Sequence, residues 1–195
     1  LPGVLQLMIF LITSYSIGVE IKRRTARSWL AAAGGSMVRA LLGKLLPHTL
    51  IFLLVGCSLQ GLLYGWMGYP LQSSWWSMAG AMLALVLSAQ SLGAFFVALI
   101  PVLRMSLSLG SLLGMLSFSI SGMSIPVSTM SPAVQALSHI FPLRYYYQIG
   151  INQALVGAPW VEAMPLYLGL LAFLLLPLVT LPRLRHFLLH MDYIA

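Results

Sequence analysis

Charge is what this sequence has least of. Only 7% of its 195 residues are charged, against 60% hydrophobic. A soluble domain carries roughly 25% charged residues, so this chain has too few to cover a globule of its size with solvated surface. That excludes an ordinary soluble enzyme and a disordered tail. Acids are scarcest, with Glu20, Glu162 and Asp192 the only three. Paired-carboxylate catalysis and a carboxylate proton relay inside a membrane therefore lack their residues. A lone cysteine, Cys57, excludes a disulfide framework and a Cys-rich zinc site. Ten Lys and Arg give a net charge of +7, yet in so apolar a chain they form no phosphate-binding face, and nucleic acid is not an expected partner. A nucleotide loop is absent too. Gly43-Lys44 resembles the end of one, but Val38 stands where its first Gly belongs and Leu45 where Ser or Thr is needed.

What the chain does have is long apolar runs, so the expected class is an all-α polytopic membrane protein forming a single transmembrane domain. Residues 1–19 carry no charge; Glu20, Lys22, Arg23, Arg24, Arg27, Arg39 and Lys44 then cluster. Residues 45–103, 105–143 and 163–182 are again uncharged. A helical span needs about 20 apolar residues. This predicts five transmembrane helices, over 1–19, 45–65, 75–100, 104–123 and 163–182. A turn at Gly65–Ser74 divides the longest run. Five spans put the ends on opposite sides. Residues 20–44, 101–104 and 183–195 share one side and hold every Lys and Arg except Arg144. By the positive-inside rule that side is cytoplasmic, with the N-terminus outside and a cytoplasmic tail over 183–195. A barrel is disfavoured because its strands would alternate apolar and polar. The start at Leu1, without Met, is expected for a piece of a longer chain.

Two stretches do not span. Residues 20–36 predict a short amphipathic cytoplasmic helix, with Ile21, Thr25, Trp29 and Ala32 on one face, Arg23 and Arg27 on another, and Gly34-Gly35 as the stop. It reads either as a basic segment touching anionic lipid or as a docking helix for a cytoplasmic partner. In the docking reading Ile21 and Trp29 would fill the partner's groove, and Arg23 and Arg27 would meet its acidic rim or lipid phosphates. Residues 124–162 are broken by Pro126, Pro132, Pro142 and Pro159. They predict two short helices at the outer interface, one opened by Ser131-Pro132 and one over Leu143–Leu155 that carries Tyr145, Tyr146 and Tyr147. They read as an anchoring belt or as an outer gate.

Gln60 and Gln90 are large polar residues inside the spans. Each reads as an interhelical hydrogen bond or as a pathway contact. Ser106, Gly110 and Gly114, extended by Ser117 and Ser121, form a stripe of small residues, and Gly61 with Gly65 forms a shorter pair. Such stripes let helix backbones approach closely in a bundle or a dimer. His186 and His190, four apart near Asp192, read as a solvated tail rather than a metal site.

Several of these features coincide in one family. A span runs into a Glu-led segment, Glu20 to Ala33, with Thr25 inside it. Leu42-Gly43-Lys44 opens the next span, and the last span has a basic end. Most specific is the stretch Ser121-Gly122 through Pro126, Met130, Pro132, Gln135-Ala136-Leu137-Ser138 and Phe141-Pro142-Leu143-Arg144-Tyr145. In this the chain resembles the permease subunit of an ABC-2 type transporter, whose outer re-entrant helices carry a triplet like Phe141-Pro142-Leu143. The resemblance covers nearly the whole chain. It departs at 20–33, where the family often has an acidic, Gly-Thr-containing version. It implies an upstream first span and external domain, and a bacterial cytoplasmic (inner) membrane location. It implies that Glu20, Ile21, Arg23, Thr25, Arg27 and Trp29 couple the chain to a cytoplasmic ABC ATPase subunit. It implies an outer gate of Pro126, Pro132, Phe141, Pro142, Leu143 and Tyr145, with Gln60, Gln90, Gly110 and Gly114 lining the path or packing the spans. Further partners would be a second permease half, the lipid bilayer and a periplasmic adaptor. ATP would bind the partner, leaving this chain with no cofactor and no catalysis. An ATPase-independent carrier or channel and a structural membrane subunit remain the alternatives.

Overall fold

A computed structural model describes residues 2–100, 102–122 and 127–190. The described residues are mostly helical and contain no strand. Five segments are long and apolar enough to cross a membrane: Pro2–Lys22, Met37–Trp66, Trp75–Leu99, Leu103–Ile120 and Trp160–Leu188. The expected five spans are present, with different ends.

The first helix, α1 (Pro2–Lys22), runs past the charge at Glu20 and carries it on its last turn. Arg24 then takes a left-handed backbone, φ 57°, which reverses the chain. A short helix, α2 (Ala26–Ala32), follows. The single amphipathic helix expected from residue 20 is thus two pieces with a break at Arg23–Thr25. The stop is as expected: Gly34 and Gly35 have φ of 66° and 77°, and the Gly35 N–H donates to the Leu30 carbonyl at 2.9 Å. A left-handed residue after the last turn satisfies carbonyls the helix leaves open, and glycine adopts it without a Cβ penalty.

α3 (Met37–Gln60) continues without a gap into a π-helical turn at Gly61–Trp66. It starts eight residues before the expected span, taking in Arg39 and Lys44. Thirty residues at 1.5 Å reach about 45 Å, well beyond a ~30 Å hydrocarbon layer. The cations therefore ride on a projecting helix end rather than on a loop. α4 (Trp75–Leu99) is capped by Ser74, whose hydroxyl accepts the Trp76 N–H at 3.3 Å. α5 (Leu103–Ile120) follows, carrying Arg104 in its first turn. Pro101 lies outside the described residues. Two short helices come next, α6 (Pro132–Ser138) and α7 (Pro142–Ile149), each with Pro in its first turn, and α7 runs into a second π turn at Gly150–Leu155. The last span is broken at Phe173–Leu174 into α8 (Trp160–Ala172) and α9 (Leu175–His190). The expected tail from residue 183 is helical up to His190; Asp192 lies outside the described residues.

α4 is the centre of the bundle. Of its apolar window 72% is buried, against 50% for α1 and 17–22% for the other spans. One core cluster joins Leu5, Ile9, Leu85, Leu143, Tyr146, Ile149 and Leu170 in one half of the bundle. A second joins Ile17, Ile21, Ala26, Leu30, Met37, Leu41, Ala98, Leu184 and Leu188 in the other. The second lies where α1 ends, α2 sits, α3 starts and α9 ends. This end carries all the Lys and Arg but Arg144 and is called the basic end below.

Candidate functional site

At the basic end the Glu20 carboxylate accepts the Lys44 ammonium on one oxygen and the Thr25 hydroxyl on the other. The Lys44 and Glu20 side chains are 17% and 18% exposed. Lys44 also stands over the Trp29 ring, 4.7 Å from its centroid. Glu20 ends α1, Thr25 precedes α2, Trp29 is in α2 and Lys44 is in α3. One acid therefore clasps three helices. Backbone bonds fix the same corner: the Thr25 N–H donates to the Glu20 carbonyl at 3.1 Å and the Trp29 N–H to the Thr25 carbonyl at 3.0 Å.

This geometry corrects the expected roles of two residues. Ile21 is 4% exposed and belongs to the basic-end core, and Trp29 is half-buried against the same core. The apolar face of the segment is turned inward and cannot fill a partner's groove. The break at Arg24 does this, folding α2 back so that Ala26 and Leu30 join Ile21. The outward face is instead Arg23, Arg24, Arg27, Ser28, Ala31 and Ala32.

In the opposite half, the expected gate residues Phe141, Pro142 and Leu143 are buried, while Tyr145 is half-buried and Pro132 exposed. Pro126 lies outside the described residues. The buried residues sit at the start of α7, and Leu143 packs in the core against α1 and α4. A residue given no site role from sequence holds the two short helices together. Arg144 is 8% exposed and donates through Nη1 to the Gln135 carbonyl at 3.0 Å and to the Ser138 hydroxyl. It places a cation on the C-terminal carbonyls of α6, where the helix dipole favours one. Its position as the one cation on the far side of the charge pattern was the available signal.

Gln60 and Gln90 are both buried and both tie helices together. Gln60 Nε2 donates to the Met78 carbonyl and to the Tyr146 hydroxyl, each at 3.0 Å, joining α3, α4 and α7. Gln90 Oε1 lies 2.8 Å from the Thr49 hydroxyl and its Nε2 donates to the Leu45 carbonyl at 3.3 Å. Beside Gln60, a cavity of about 420 Å³ opens between α1, α3, α4 and the second π turn, lined by Leu63, Tyr64, Tyr146, Tyr147 and Leu155 among others. Both π turns of the described chain border it. Such turns recur at functional sites because they widen the helix locally.

The small-residue stripe is an intrachain contact. A Cβ on Gly110 would stand 2.1 Å from Phe10 Cε1, and one on Gly114 2.4 Å from Leu7 Cδ1. Ser106 and Ser117 are fully buried in the same row, and Gln6 donates to Ser117 at 3.2 Å. The stripe therefore seats α5 on α1. Gly61 has open space around it, so the second glycine pair makes no such contact.

Residues 1–181 match the family model described as ABC-2 family transporter protein. No curated protein and no solved structure matches.

Proposed function

The chain belongs to the ABC-2 transporter family, and from that premise we propose that it is the permease half of an ATP-driven exporter, with α2 as the element that couples it to a separate ATPase subunit. As a multi-pass membrane protein of this family it is a transport component. The basic end is assigned to the cytoplasm by its cations, in a bacterial cytoplasmic membrane. A second permease half completes the path, and ATP is bound and hydrolysed on the partner.

The observation that carries the coupling role is the clasp on Glu20. A helix of seven residues is too short to hold its shape alone. Here it is tied by Thr25 and by Trp29 under Lys44 to the ends of two spans. A displacement applied to α2 therefore passes directly to α1 and α3. Through the Gly110–Phe10 contact it passes from α1 to α5. Residues that a partner would touch are on the outward face, Arg23, Arg27 and Ala31, while Ile21 and Trp29 transmit from within. At the other end Phe141, Pro142, Leu143 and Tyr145 form the gate, held on α6 by Arg144 and linked to α3 through Gln60 and Tyr146.

The test is a coupling assay in proteoliposomes holding the permease and its ATPase. Arg23→Glu is expected to weaken ATPase binding while leaving the amount of folded permease unchanged, because Arg23 is exposed and outside the core. Unaltered binding and transport in Arg23→Glu and in an Ala31→Trp variant would remove α2 from the docking surface.

A further inference from the structure

A groove of about 350 Å³ runs along the outside of the bundle between α3, α4 and α9. Its walls are leucines that no other part of the described chain covers: Leu42 is 60% exposed, Leu46 59% and Leu178 54%. Thr49 and Gln90 lie at its floor, but their polar atoms bond each other and the Leu45 carbonyl. No charged residue lines it among the described residues. Apart from the Ser91 hydroxyl, the groove thus offers a polar solute no free partner, and it suits a hydrocarbon chain. Its lining on α3 runs from Val38 to Thr49. The eleven rises of about 1.5 Å between them make about 16 Å, half of a ~30 Å hydrocarbon layer and so the depth of one leaflet.

Both walls end in a cation. On α3, Arg39 stands three residues before Leu42, the next position on the row that continues to Leu46. On α9, Arg185 stands four residues after Leu181, on the row that includes Leu178. Side chains three and four apart share a helix face. The two helices run in opposite senses, and both arginines come out at the basic end. Both are exposed. The Arg39 guanidinium lies beside Gly34 in the turn between α2 and α3, which puts it at the level of the chain leaving the membrane. The one acid placed at this end among the described residues is Glu20, already clasped by Lys44 and Thr25.

We propose that this groove binds one anionic phospholipid of the leaflet at the basic end, with an acyl chain along α3 and α9 and the phosphate between Arg39 and Arg185. The inference rests on membrane embedding and stands apart from the transporter reading. Two cations with no acid beside them among the described residues favour a headgroup of net negative charge over a zwitterionic one. Each Lys or Arg near an anionic surface contributes about 1 kcal/mol, roughly a fivefold change in affinity. The pair together is therefore worth about 25-fold.

The test is native mass spectrometry of the full chain released from detergent, with dioleoyl-phosphatidylglycerol and dioleoyl-phosphatidylcholine as probes. The wild type is expected to retain one phosphatidylglycerol in preference to phosphatidylcholine. Arg39→Gln with Arg185→Gln is expected to lose that preference, by about 25-fold in affinity on the same scale. Arg104→Gln, a cation outside the groove, is expected to behave as wild type. Leu178→Trp, which fills the groove, is expected to lose both lipids. Equal retention of the two lipids, or equal losses in the Arg104 and the paired variants, overturns the proposal. A Leu178→Cys variant supplies a second reading. Its thiol is expected to react with a maleimide in lipid-free detergent and to be protected by phosphatidylglycerol. Protection without lipid would mean that protein covers the groove and would overturn the proposal as well.

Discussion

Removing the charge of Glu20 should loosen the corner on which the coupling role depends, and the size of the effect can be worked out. Glu20→Gln keeps the shape and the acceptor for Thr25 but leaves the Lys44 ammonium without its counter-ion. At 4 Å two unit charges attract by about 4 kcal/mol at an effective dielectric constant of 20. Desolvation of both groups offsets part of that. Exposed pairs are worth about 0.2–1 kcal/mol, and breaking a buried one costs about 3–5 kcal/mol. With side chains 17% and 18% exposed, this pair falls between, at about 2 kcal/mol for the single change. Lys44→Met should cost a similar amount, because it also removes the cation over Trp29, worth about 0.5–2 kcal/mol. The double variant removes both charges together and should cost less than the sum, with a coupling energy of about 1–2 kcal/mol. Reversible unfolding in mixed micelles measures all three. For a chain of this size each kcal/mol corresponds to about 2–4 °C in Tm. If the two single effects simply add, to within about 0.5 kcal/mol, the ion pair does not hold the corner and the clasp argument fails.

The other predictions concern packing. Gly110→Leu should be strongly destabilising, since even its Cβ would stand 2.1 Å from Phe10; overpacking costs about 1–3 kcal/mol or more, and Phe10→Ala in the same chain should recover part of the loss in the same unfolding assay. Arg144→Met removes the donor to the Gln135 carbonyl, at a cost of about 1–3 kcal/mol for the group left unpaired; hydrogen exchange should then rise selectively over 132–138. Ile21→Asp should lower the yield of folded protein, because it puts a charge at a position 4% exposed, whereas Arg23→Glu should not.

The number and rough place of the spans were legible because lipid demands about 20 apolar residues and the charges mark the gaps. Their ends were not. Arg39 and Lys44 belong to a helix about 45 Å long, which outruns the ~30 Å hydrocarbon layer, so charge marked the membrane edge rather than the helix end. The inward turn of Ile21 and Trp29 was hidden for a different reason. A helical projection assumes a continuous helix, and Arg24, a residue that seldom takes positive φ, breaks this one. The Gly34-Gly35 stop was readable because glycine is the common residue there. The small-residue stripe announced close packing, but sequence could not say whether the partner was α1 or a second chain. Lys44 was read as a residue at the start of a span. Its link to Glu20 joins positions 24 residues apart in different helices, and no local spacing encodes that.

The central claim is that the outward face of α2 meets the ATPase. It is tested most directly by a photoreactive crosslinker at Ala31, exposed on α2, compared with one at Tyr15, exposed in the middle of α1. With the ATPase present in the membrane, the account predicts a crosslinked permease–ATPase product from position 31 and none from position 15. A product from neither position, or from 15 and not 31, would contradict it.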